Sequence, residues 1–316
     1  MIEALADWIT YSLLGIARET TLGDAAQYFF FDSVKILLLL LGVIFIVSLI
    51  RTFIPPAKVR EIVGGKREGV GNILAALLGM ITPFCSCSAI PLFLGFIESG
   101  IPLGVTFSFL IASPMINEVA VILLLGLVGP WVTLLYVSAG LLVAIIGGVV
   151  IGRMNLEGEV SEFLRDPKYK DFGKWEFTGP RDRLETAVNA TFLIIRRIFL
   201  FVLIGIAVGA FIHGFVPAEI ITNYVGRENF FAVPIAVIIG IPLYANAGGV
   251  IPLVSALMAK GMSLGTALAF TMSVTALSLP EMIILSRVMK PKLLAIFIIL
   301  LFVSFVLIGY AFNFIV

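Results

Sequence analysis

The sequence predicts an all-α polytopic membrane protein made of two inverted repeats. Each repeat carries three transmembrane helices and a re-entrant helical hairpin. Three observations predict this class. The 316 residues are 60% hydrophobic and 13% charged, where soluble domains are about a quarter charged, and the mean hydropathy is +1.13. Apolar runs of about 20 residues, the length that crosses a bilayer as a helix, recur along the chain. Finally, Ile90–Phe109 (IPLFLGFIESGIPLGVTFSF) aligns without a gap on Ile251–Phe270 (IPLVSALMAKGMSLGTALAF), 161 residues later. Apolar composition produces Ile and Leu matches by chance. It does not readily place Pro91/Pro252, Gly100/Gly261 and Gly104/Gly265 at one offset.

Composition also excludes classes. With 21 basic and 20 acidic residues the net charge is +1, which offers no basic face to nucleic acid. No GxxxxGK[ST] string is present, so no recognisable ATPase is expected. Two cysteines separated by one residue make no disulfide framework. No cofactor is expected, and no structural metal site, because His213 is the sole histidine.

Residues 1–32 read as an interfacial N-terminal segment. It starts with Glu3 and Asp7 and lacks the basic region of a signal peptide. Trp8 and Tyr11 suit the headgroup level. Ser33–Ile54 is the first span, opened by Asp32 and Lys35 at a spacing that can pair on a helix. The following loop carries Arg51, Lys58, Arg60, Lys66 and Arg67, which places it in the cytoplasm. Asn72–Thr82 and Ala89–Ile97 are each too short to span. Separated by Pro83 to Ser88, they read as two arms of a hairpin. Leu103–Leu127 and Trp131–Ile151 are full spans that complete the first membrane repeat, 33–151.

Residues 152–189 form a hydrophilic cytoplasmic linker, and 190–316 the second repeat. Ala190–Phe215 is a span with Arg196 and Arg197 near its cytoplasmic end. Phe231–Tyr244 and Val250–Ala259 are again short arms, separated by Ala245-Asn246-Ala247-Gly248-Gly249. Leu264–Leu285 and Leu293–Ile315 close the chain. If each hairpin enters and leaves on one side, each half makes three crossings, and an odd number inverts the second half. The basic loops at 51–67, 153–197 and 287–292 then all face the cytoplasm, while Arg18, Lys260 and Arg227 fall outside. An eight-crossing chain with very short helices is the alternative. Interrupted segments at matching places in two inverted halves point to a transporter site near the midplane.

The candidate site residues follow from those interruptions. Broken backbone at membrane depth lines a cavity or is buried in protein. Cys85 and Cys87, with Ser86 and Ser88, sit at the first break. In extended backbone, residues i and i+2 face one side, so the two sulfurs can converge on a soft, thiophilic solute. As a plain alternative, a free Cys is a small buried hydrophobe. Ser113 and Asn117 lie beside Pro114, and Tyr244 and Asn246 at the second break; Asn246 there can equally serve a tight turn. Glu118 and Glu281 lie inside apolar segments, each close to a proline. Ionisable groups in such places mark solute or proton pathways, and both are expected to couple protons. For Glu281, snorkelling or pairing with Arg287 is the structural alternative.

The strings PFCSCSAIPLF, GIPLG and FLIASPMIN resemble the predicted permease family that includes the organoarsenical efflux permeases, and FFFDSVKI and IPLYANAGGVIPL extend the likeness over nearly the whole chain. The resemblance implies a multi-pass, inner-membrane secondary permease. Some members export trivalent organoarsenicals, and related ones are associated with other heavy-metal efflux. The family cysteines implicated in arsenical recognition map to Cys85 and Cys87. Export of a soft or thiol-reactive solute is therefore expected, with the bilayer and a small molecule or metalloid as partners. Rival readings are transport of a heavy-metal ion or small sulfur-containing anion, a passive channel, and a membrane thiol oxidoreductase using Cys85/Cys87. Against the last, a CxC disulfide closes a strained ring and no quinone or cofactor motif is visible.

Overall fold

The computed structural model describes residues 6–17, 20–51, 69–81, 89, 92–93, 95–97, 100–116, 118–160, 179–215, 230–243, 250, 254–255, 257–258, 261–286 and 288–315. Among them the regular elements are helical, without a strand. After a π-helical turn at Trp8–Leu13 come α1 (Thr21–Arg51), α2 (Val70–Ile81), α3 (Leu103–Met115) and α4 (Glu118–Arg153). The second half holds α5 (Pro180–Phe215), α6 (Ala232–Gly240), α7 (Leu264–Ala276), α8 (Leu279–Leu285) and α9 (Pro291–Ile315). Three described helical stretches are long and apolar enough to cross a membrane: Ala120–Arg153, Leu264–Leu285 and Pro291–Ile315.

The centre is built from α3 and α7. Every residue of α3 is buried, and nearly every residue of α7. Each packs between a short helix and a long one: α3 between α2 and α4, α7 between α6 and α9. The long helices turn apolar side chains such as Leu134, Leu142, Ile299 and Leu307 outward, as lipid-facing helices do. The short helix α2 buries only a small-residue stripe (Gly71, Asn72, Ala75, Ala76, Gly79), leaving Ile73, Leu77 and Ile81 exposed. Separately, α1 packs along α5, and α5 reaches α8. On α1, the Lys35 ammonium lies 5.3 Å from the centre of the Phe31 ring.

Glycines let these helices touch. A Cβ on Gly104 would strike the Gly148 carbonyl and the Gly152 Cα; a Cβ on Gly265 would strike the Gly309 carbonyl and the Asn313 amide. These contacts recur 161 residues apart, as do others. Gly79 lies against the Phe109 carbonyl and Ala112, Gly240 against the Phe270 carbonyl and Ser273. Before α3, Gly100 (φ +73°) and Ile101 donate to Ile97 and Phe96. Before α7, Gly261 (φ +102°) and Met262 donate to Met258 and Leu257. Each is a Schellman cap, which needs a left-handed residue that glycine supplies without steric cost.

The contacts also fix direction. Past the end of α4, Val160 forms a backbone bridge with Met289. The Lys290 amide donates to Glu159 O (2.8 Å) and the Lys290 ammonium to Gly158 O (2.9 Å). So α4 ends on the face where α9 begins. Gly147 abuts Leu300, which fits antiparallel α4 and α9. Gly104, at the start of α3, is beside Gly148 and Gly152; Gly265, at the start of α7, is beside Gly309 and Asn313. Thus α3 starts on the Arg153 face and α7 on the opposite one. At that far face Tyr310 donates to Phe230 O (2.7 Å) and stacks on its ring.

Two stretches expected as single spans are each two helices. Between α3 and α4 the chain leaves helical geometry at Ile116 (φ −115°, ψ 63°). Between α7 and α8 it does so at Leu277 (φ −134°, ψ 23°) and Ser278 (ψ 146°). Pro114 has no N–H for the ladder in the last turn of α3, and Pro280 sits in the first turn of α8, where proline is tolerated. A further departure occurs at Gly129 (φ 81°, ψ 171°) inside α4, within the expected Val128–Pro130 turn. The span expected from Ala190 begins earlier, since α5 starts at Pro180.

Candidate functional site

In each half, the end of the short helix lies against the helix that breaks. In the first half, Gly79, in the last turn of α2, contacts the Phe109 carbonyl, Ala112 Cβ and the Ser113 amide nitrogen at about 3 Å from an added Cβ. Ser113 is therefore on the part of α3 that meets the end of α2, and it is 1% exposed. The break follows three residues later. There Tyr136, fully buried, donates its hydroxyl to Met115 O at 3.0 Å. This satisfies one of the carbonyls that a helix C-terminus leaves without an intrahelical partner. Gly140 gives the Met115 and Ile116 side chains room to pass.

In the second half the corresponding junction is fastened differently. Ser273 Oγ donates to Val237 O (2.7 Å), in α6. The Leu279 amide, at the start of α8, donates to Ile241 O (2.7 Å), just past α6. One hydrogen bond thus ties the residue that follows α6 to the second helix break. Tyr244 follows Ile241 by three residues, and Glu281 follows Leu279 by two.

Glu281 is 1% exposed, in the first turn of α8. Glu118 is the first residue of α4. Both acidic candidates therefore open the helix that restarts after a break, where backbone N–H groups lack intrahelical acceptors. The gap-free alignment puts Glu118 opposite Leu279, and these are the first residues of α4 and α8. Cys85, Ser86, Cys87, Ser88, Asn117, Tyr244 and Asn246 lie outside the described residues, as does the side chain of Glu118. The chain reaches Cys85 four residues after Ile81 ends α2.

Sequence reasoning missed Tyr136 and Ser273. The 161-residue offset carries part of the signal: Tyr136 falls on Phe297 and Ser273 on Ala112. Each is a polar residue facing an apolar one in the other half. A cavity of about 240 Å³ opens between Ile97, Gly100 to Leu103, Glu157 and Val160. It lies on the face where α4 ends and α9 begins.

Comparison with known proteins identifies the family. The family described as predicted permease matches residues 21–314. The chain is 23% identical over 275 residues to UPF0718 protein MJ0584 of Methanocaldococcus jannaschii, an alignment covering 70% of this chain and 75% of that one. No solved structure matches. An all-α integral membrane protein with apolar helices around a doubly interrupted centre, this chain belongs to the predicted permease family and is a membrane transporter.

Proposed function

We propose that the protein is a secondary-active permease of the cell membrane that exports a soft, thiol-reactive solute by alternating access, with trivalent organoarsenicals as the solute. Its two repeats, 33–151 and 190–316, are inverted, and the linker 152–189 is cytoplasmic. Six crossings and two re-entrant hairpins make up the fold. Cys85 and Cys87, with Ser86, Ser88, Ser113 and Asn117, form the first half-site. Tyr244 and Asn246 form the second, and Glu118 and Glu281 carry protons.

One observation carries this reading. Both α2 and α3 run in the same direction from the face that holds the end of α4. Asn72, near the start of α2, donates to Ser108 Oγ (2.9 Å) and lies beside Gly148, while Gly79 reaches Ser113 deeper in. A 12-residue helix is about 18 Å long, well short of the roughly 30 Å hydrocarbon core. The chain returns to the starting face by Ile97 and Gly100, beside Glu157 and Val160. That path supports a hairpin entering and leaving on one side. In the second half, Val233 of α6 abuts Gly309 and Gly240 abuts Ser273, which supports the same path from the opposite face. The thiol chemistry of the first break supports the solute class.

Everted vesicles test the reading. Cys85→Ser and Cys87→Ser are expected to lower methylarsenite accumulation by about tenfold, the scale of a weakened ligand set; unchanged accumulation sinks thiol recognition. Uptake that survives collapse of the proton gradient removes the antiport.

A further inference from the structure

We propose that Ser273 is a positioning residue that locks the first arm of the second hairpin to the helix carrying Glu281, so that the two move as one unit. The functional meaning of this lock rests on the site reading above; its geometry stands alone.

The C-terminal turn of a helix has carbonyls without intrahelical donors, and α6 stops at Gly240 just before Pro242. Two of the carbonyls in this region find partners outside α6. Val237 O accepts from Ser273 Oγ at 2.7 Å, in addition to its role for the Ile241 amide (3.2 Å). Ile241 O accepts from the Leu279 amide at 2.7 Å. Ser273 and Leu279 flank the break between α7 and α8, whose own closing bond runs from the Leu277 amide to Ser273 O (2.9 Å). Ser273 therefore bonds in both directions: its side chain to α6, its carbonyl to the break. It is fully buried, and a Cβ on Gly240 would come within 2.9 Å of both its Cβ and its Oγ.

The consequence is mechanical. A displacement of the α6 end must break one of two short hydrogen bonds, of which that of Ser273 is buried, or carry Leu279 with it. Leu279 is two residues from Glu281, in the same short helix. A solute pressing on the second hairpin thus moves the carboxylate without touching it. The first half has no counterpart of this hydroxyl: at the equivalent place stands Ala112.

Hydrogen–deuterium exchange on the full chain in lipid nanodiscs tests the lock. Ser273→Ala is expected to speed exchange of the Ile241 and Leu279 amides about tenfold, the factor given by losing one ordinary buried hydrogen bond, with 103–115 unchanged. Gly240→Ala keeps the hydroxyl but pushes the helices apart, and is expected to give the same local pattern. Equal acceleration in both halves, or none at either amide, overturns the proposal. A second readout is the pH profile of methylarsenite uptake in everted vesicles, which Ser273→Ala should displace. Faster exchange with an unmoved profile overturns the link to Glu281. A wild-type profile that is flat with pH instead counts against proton coupling, and the exchange data still decide the lock.

Discussion

In the first half, a tyrosine hydroxyl from the long helix α4 closes the end of α3, and an asparagine from α2 bonds to Ser108. In the second half neither residue recurs: Phe297 stands where Tyr136 would map, and Val233 where Asn72 would. There Asn313, from the end of α9, accepts from the Gly265 amide (2.8 Å) and donates to Thr266 Oγ1 (3.2 Å), and Ser273 holds α6. Yet α3 and α7 begin and end 161 residues apart to the residue. What the two halves share is glycine and the caps that glycine permits. What they do not share is every polar side-chain fastening named here. Backbone approach is set by the absence of a Cβ, which only one residue type supplies. A buried carbonyl needs only some donor within reach, which many residue types supply from many places. Two halves built this way keep their helix contacts while their polar side chains diverge.

If that division is right, the glycines should dominate and should do so equally in both halves. Gly104→Val and Gly265→Val each drive a side chain into backbone of the neighbouring long helix. Each is expected to cost about 3 kcal/mol or more, read as loss of monodisperse protein in detergent. Gly126→Val, with nothing within 4 Å of its Cβ, should behave as wild type. A large difference between the first two variants would break the shared-scaffold view.

The polar fastenings should be weaker and unequal. Asn72→Ala removes a buried hydrogen bond and is expected to cost about 2 kcal/mol, Asn313→Ala about 1, because the latter is only partly buried. Thermal unfolding in detergent checks the order. Tyr136→Phe removes one hydrogen bond at constant shape, about 1 kcal/mol, and makes the first half like the second at that position. Faster exchange confined to residues near Met115 sharpens the comparison; loss of the whole fold contradicts it. Lys290→Met removes an exposed bond to Gly158 O and should stay within about 0.5 kcal/mol, visible only as local exchange at 156–160.

Much of this scaffold was legible in the sequence. The arm expected at Asn72–Thr82 is α2, Val70–Ile81, because its limits are set by a basic loop before it and Pro83 after it. The Gly100 and Gly261 pairing marked the repeat, and the structure shows that both glycines close caps of one kind. The breaks at Ile116 and Leu277 were harder to see. Pro114 and Pro280 announced kinks, but the apolar runs continue through both, and hydropathy does not register a lost backbone bond. The bonds from Tyr136, Ser273 and Lys290 join residues 21, 36 and 132 apart, and no local pattern encodes such partners. For the site itself, Ser113 and Glu281 are placed where helices break, while the thiols and the second-half pair were legible only as sequence.

The seam between the halves has a consequence for how such a chain can be made. Val160 and Met289 bridge by backbone, and Lys290 holds Gly158 and Glu159, so the contact does not depend on the covalent path through residues 161–178. A chain cut within that stretch keeps the seam, together with the antiparallel contact of Gly147 with Leu300. The two halves are then expected to assemble when synthesised as separate polypeptides, the arrangement from which a fused duplication would descend.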